Sequence, residues 1–202
     1  MINENRVPRA LVEDFDRLVV TYGESSRKDP RGTRELVHFT AVSLATGRTF
    51  ERVVRPSFGL PASGHLCHME LTEEDFETAV TPQSFKEEWR QFLEAEPSVP
   101  VVSAWNQTTL DVLATVVGGP ASRVSLKSAY RNRRGGGCGS LDDVIAEEQL
   151  FAVAVPLPSP VPFRGRAALR VARAIAVAQL LNARACGKAP ASPREDAPVS
   201  LQ

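Results

Sequence analysis

A chain of 202 residues with no net formal charge, 43% hydrophobic and 24% charged, has the composition of an ordinary globular domain. It is long enough for one substantial core and short for two. No run of about eighteen apolar residues occurs, so no membrane-spanning helix is expected. The N-terminal MINENRVPRALVEDFDR lacks the apolar stretch of a secretory leader. Cys67, Cys138 and Cys186 lie far apart, which suits free thiols in a reducing compartment, and the expected location is the cytoplasm.

The neutral total hides an asymmetry. Residues 1–111 hold 18 acids and 12 bases, whereas residues 112–202 hold 6 acids and 12 bases. No acid falls between Asp111 and Asp142, where Arg123, Lys127, Arg131, Arg133 and Arg134 cluster. None falls between Gln149 and Arg194 either, where Arg164, Arg166, Arg170 and Arg173 cluster. This distribution predicts a basic surface, or arginines paired with acids from the other half.

Residues 1–13 read as a flexible tail, 14–184 as the domain and 185–202 as a disordered Pro-rich tail. Leu18 to Tyr22 is a β-branched run that predicts a buried strand. After a polar loop around Pro30 comes a hairpin, ELVHFTAVSL and TFERVVRP, turned at Ala45 to Arg48 with Gly47 supplying positive φ. Pro56, Gly59, Pro61 and Gly64 predict a loop. Ser84 to Glu87 has capping-box spacing, and Phe85, Trp89, Phe92 and Leu93 recur at helical intervals, so a helix is predicted over 84–94. Val99 to Ala104 predicts a second core strand, and a helix follows from Thr108 to Gly118-Gly119-Pro120. Arg133 to Gly137 reads as a loop, and Ser140 caps a short helix through Glu148. After the proline-broken VPLPSPVPF, a last helix runs from Arg166 to about Asn182. The order predicts an α/β fold with an antiparallel start and later crossovers.

From Asp16 to Asn182, in the pieces LVVTYGES, LVHFTAVSLATGRTFERVVRP, VVSAWNQTTLDVL and GRAALRVARAIAVAQLL, the chain resembles the DEDDh 3′–5′ exonucleases, the family of RNase T and the DNA polymerase III epsilon subunit. The resemblance implies an RNase H-like mixed sheet with an antiparallel hairpin start, flanked by helices. It also implies a site in which acidic oxygens hold two divalent ions about 4 Å apart and a histidine deprotonates the attacking water. Mapped onto this chain, the first metal-binding aspartate falls on Tyr22 and the following glutamate on Glu24. The middle aspartate falls on Asp111, one residue further from Asn106 than is usual. The general-base histidine falls on Gly165, and the last aspartate on Arg170, of opposite charge. Two carboxylates, Glu24 and Asp111, remain. No shift of register restores the last one, because no acid lies between Gln149 and Arg194 and no histidine follows His68.

An arginine in place of a metal-binding aspartate implies a swap of charge carriers, with the Arg170 guanidinium neutralising Glu24 and Asp111. Arg166, Arg170 and Arg173 share a helix stripe. With Arg131, Arg133 and Arg134 they form the expected nucleic-acid-binding face, and Trp105 and Tyr130 are possible stacking partners. His65, Cys67 and His68 lack a second ligand pair at zinc spacing and read as structural. Gly135 to Ser140 lacks the Lys-Ser/Thr ending of a phosphate-binding loop and reads as a connection. The expected function is therefore a catalytically degenerate exonuclease-fold domain that binds single-stranded nucleic acid, RNA or DNA, with no bound metal and no membrane contact. Two alternatives stand beside it: an active exonuclease using Mg²⁺ or Mn²⁺ at a rearranged site around Glu24 and Asp111, and a scaffold for an RNA-processing or DNA-repair protein.

Overall fold

The computed structural model describes residues 7–26, 34–119, 122–150 and 163–187. The loop around Pro30, the stretch before the last helix and the chain from Lys188 onward lie outside them. In chain order the elements are β1 (Leu18–Ser25), β2 (Leu36–Ser43), β3 (Thr49–Val53), α1 (Ser63–Met69), α2 (Pro82–Glu94), β4 (Val101–Ala104), α3 (Gln107–Val117), β5 (Arg123–Ser125), α4 (Leu126–Arg134), α5 (Leu141–Glu147) and α6 (Ala167–Ala185).

The five strands form one sheet in the order β3-β2-β1-β4-β5. β1, β2 and β3 pair antiparallel, as the hairpin pattern predicts, and Gly47 takes φ 69° at the turn. β4 and β5 continue the sheet parallel to β1, each reached through a crossover that carries a helix. Helices cover both faces, which is why every residue of β2 is buried instead of alternating with exposed ones. Leu18 and Val20 face α4, α5 and α6. Val19, Phe39 and Phe50 face α2 and α3.

α2 places Phe85, Trp89 and Phe92 against the sheet, as their spacing predicts. Its cap differs from the expectation. Thr81, not Ser84, is the cap: its side chain accepts the Ser84 N–H, and Pro82 occupies the first helical position, where its fixed φ suits the turn and no N–H is needed. The aromatic rings then interlock. Phe39 meets Phe85 and Trp89 edge-on at centroid distances of 5.5 and 5.2 Å, and Phe50 meets Trp89 at 5.4 Å.

Three elements have no counterpart in the sequence reading. β5 is three residues long, too short for any periodicity to show. α1 begins at Ser63, inside the stretch that its glycines and prolines mark as loop. α4 runs through Arg133 and Arg134, because the chain first leaves the helix at Gly135, whose φ of 75° ends it. The packed chain also begins before residue 14: Leu11 is fully buried in the core, and its carbonyl accepts from Asn182 at 2.7 Å. α6 runs past Asn182 to Ala185.

Replacing Phe39 by alanine removes the ring at the centre of the aromatic cluster and leaves a cavity. A loss of about 3–5 kcal/mol in unfolding free energy is expected, read from the urea midpoint at unchanged m-value.

Candidate functional site

Strand geometry sets the site. Alternation along β1 turns Val20, Tyr22 and Glu24 toward α6, while Gly23 faces α3, where an added Cβ would meet Phe39 and Thr109 at 3.2 and 3.3 Å. Glu24 is 8% exposed at the carboxyl end of the central strand. One of its oxygens, Oε1, accepts from the Tyr22 hydroxyl and also, at 2.7 Å, from Nε of Arg166 at the start of α6. Burial and the neighbouring Glu24 charge push the Tyr22 phenol far above its ordinary pKa, so it stays a neutral donor. Burial disfavours the Arg166 guanidinium, but the hydrogen bond to Glu24 together with the further interactions with Glu24 and Tyr22 outweighs it, and the pKa rises.

The charge swap expected of Arg170 is therefore made by Arg166. Arg170 lies one turn further along α6 and donates instead to Asp142 of α5, at 2.8 and 3.0 Å, and Arg173 binds the same carboxylate. Asp111 is also not where the resemblance puts it. Its side chain is 57% exposed, accepts from Gln107 at 2.8 Å and faces Arg123 at 3.6 Å. Thr109 is the α3 residue that lines the cleft. Asp111 stands two residues on, rotated by about 200° around the helix, and Leu110 between them is core. The Asp111 carboxylate thus points out of the site.

At the position of the absent histidine, Gly165 has φ 54°, and a Cβ there would lie 2.5 Å from the Met69 carbonyl oxygen. No side chain fits without moving that backbone. The neighbouring Arg164 N–H donates to Glu51 Oε1 at 2.5 Å, and the same oxygen meets Nε2 of His38 at 2.9 Å. His38 is 1% exposed. Burial alone would raise the Glu51 pKa, but the hydrogen bonds from His38 and the Arg164 backbone prevail and hold it below the ordinary carboxylate value.

A cavity of about 350 Å³ opens beside Tyr22. Its wall includes Trp105, Asn106, Thr109, Lys127, Arg166 and Arg170. Trp105 and Tyr130, the two possible stacking residues, are both buried: Trp105 reaches the cavity wall, whereas the Tyr130 hydroxyl donates to Glu148 at 2.6 Å. His68 also lines the cavity, while His65 contacts the Ser25 carbonyl at 2.9 Å. Arg131, Arg133 and Arg134 are not among the residues that line this cavity. Arg133 donates to the Arg184 carbonyl at 3.1 Å, near the far end of α6, about 27 Å along the helix from Arg166. Arg134 pairs with Glu147 at 2.6 Å. The expected continuous basic face is thus two separate ends, with most of its arginines paired. Sequence reasoning missed Lys127 as a lining residue and Asp142 as the acid that collects Arg170 and Arg173. The acid-free stretch around Lys127 was the available signal for the first.

A two-ion centre needs several converging carboxylates. Among the described residues no group of three His, Cys, Asp or Glu side chains is placed to hold a metal ion, and none of the residues lining the cavity is acidic. Glu24 already has two donors. The residues present do not fit a pair of divalent ions.

No family model and no curated protein matches the chain. Solved structures do match. The nuclease domain of 3′hExo, a DEDDh family member, bound to rAMP, superposes at a TM-score of 0.60 with 15% identity, over 85% of this chain and 93% of that one. Cell-death related nuclease 4 matches at 0.60 with 13% identity, over 83% of this chain and 64% of that one. Exonuclease X in complex with 5′ overhanging duplex DNA matches at 0.57 with 13% identity, over 86% and 95%. This chain has the fold of the DEDDh exonucleases. At 13–15% identity the likeness shows the RNase H-like scaffold alone.

Two outcomes test the electrostatics. Arg166→Ala leaves Glu24 buried without its counter-charge and is expected to cost roughly 2–3 kcal/mol, because both side chains keep some solvent contact. The Glu24→Gln/Arg166→Met double variant should recover most of that loss in the same urea titration. At Glu51 the folded pKa lies below that of an unfolded glutamate, about 4.3. Its stabilising contribution is therefore full above that pH and is lost as pH falls through the folded value. Glu51→Gln should flatten the acid limb of a stability-versus-pH curve.

Proposed function

We propose that this chain is a catalytically silent exonuclease-fold domain that holds single-stranded nucleic acid in the cleft beside Tyr22 without cleaving it. The Tyr22–Glu24–Arg166 network is the observation that carries this reading. A guanidinium already occupies the charge of Glu24, so the carboxylate has little left to offer a hard cation. Tyr22 stays protonated and donates a hydrogen bond instead of ligating, and Gly165 puts no imidazole at the position where the resemblance places the general base.

Binding is supported by the wall of the cavity. Lys127, Arg166 and Arg170 favour phosphate oxygens, and Trp105 and Tyr22 supply aromatic surface for a base. The solved structures of similar fold include proteins bound to rAMP, to a histone mRNA stem-loop and to DNA, which agrees with nucleic acid as the ligand class. The active-exonuclease alternative would have to run on Glu24 alone, since Asp111 points away.

The test is a labelled single strand incubated with the full chain in Mg²⁺ or Mn²⁺. The strand should remain intact, while filter binding at two salt concentrations should show retention that falls with salt, with a slope of about −0.7 per phosphate contacted. Degradation that vanishes with EDTA and with Glu24→Gln would sink the silent reading. Absence of retention at low salt would sink the binding one.

A further inference from the structure

The cleft reverses the charge that a two-ion site requires. Lys127, Arg166 and Arg170 line it and Arg173 stands beside Arg170, giving four cations, against which Glu24 and Asp142 supply two carboxylates. Asp143, whose carboxylate feels the Lys127 charge, is a third, so one positive charge is in excess. Lys127 is the cation left over. It enters none of the ion pairs found among the described residues, whereas Arg166 has Glu24, and Arg170 and Arg173 share Asp142. The acid nearest in sequence to the cavity's Ser140 wall, Asp143, accepts the Ser140 N–H and hydroxyl in the capping box of α5. Lys127 is also well placed: its backbone N–H donates to the Trp105 carbonyl at 3.0 Å, which ties the first turn of α4 to the end of β4. Asn106, Thr109 and Ser140 add amide and hydroxyl groups to the same wall.

Such a pocket distinguishes between strand ends. A phosphodiester carries one negative charge, whereas a terminal phosphate monoester carries about −1.5 to −2 at pH 7 and three strong acceptor oxygens. An ammonium held beside guanidinium groups in a part-enclosed cavity favours the second. The volume of about 350 Å³ lies within the range of small-molecule sites, roughly 300–1,000 Å³. We propose that the cleft recognises a terminal phosphate monoester of a nucleic acid strand, bound directly by Lys127 with Arg170 and without any divalent ion. This rests on the reading that the cleft binds nucleic acid, and it names which part of the strand is held and by what charge.

The experiment uses internally labelled hexathymidylates ending in a 3′-phosphate, in a 5′-phosphate or in neither, titrated with the full chain by fluorescence anisotropy in Mg²⁺ and again in EDTA. One phosphorylated strand is expected to bind roughly tenfold more tightly than the unphosphorylated one, equally in Mg²⁺ and EDTA, and the arm that gains identifies which end is held. Lys127→Ala should abolish the gain, and Lys127→Arg should keep it. Equal affinity for all three strands would overturn the terminal-phosphate inference while leaving strand binding intact. Binding that disappears in EDTA would overturn metal-free recognition. If no strand binds, this inference falls together with the function on which it rests.

Discussion

Glu24 is a carboxylate buried at the carboxyl end of the central strand, and the surrounding structure is arranged by the need to balance its charge. Two donors on one oxygen, the Tyr22 hydroxyl and Arg166 Nε, meet that need without a metal. The solution is local in β1 but remote in sequence at α6, 142 residues away. It therefore depends on the start of α6 being delivered to the sheet in one position.

Three contacts secure that delivery. Glu51, held by buried His38, accepts the backbone N–H of Arg164. Gly165 lies so close to the Met69 carbonyl that only a glycine fits. Asp142 gathers Arg170 and Arg173 from the next two turns. Each of these groups is polar or has special backbone geometry, and each touches the segment that carries Arg166. The apolar core beneath tolerates more variety, since apolar volume and pattern are enough to keep a scaffold. That explains how the fold can match known exonuclease domains at 12–15% identity.

The same arrangement accounts for the fate of the basic residues. Arginines clustered along the sequence are distributed by helix geometry to opposite ends of α6, and acids on α5 and β1 meet most of those near the cleft. At the cavity, Lys127 is the lining cation that enters none of the ion pairs among the described residues. A polyanion meeting this domain would find a pocket, not a face.

From the residues alone, much was already determined. The hairpin, the core strands, the aromatic stripe of α2 and the capped start of α5 follow from periodicity and turn chemistry, which are local properties. The absence of acids between Gln149 and Arg194 is equally a property of the chain. Partnership was beyond reach. Whether Arg166 or Arg170 meets Glu24 turns on one helical turn of α6, and whether Asp111 faces the cleft turns on a rotation of about 200° along α3. Sequence spacing leaves such angles open. Only the packing of the helices against the sheet selects them, because burial makes an unpaired charge costly and so decides which ion pairs form.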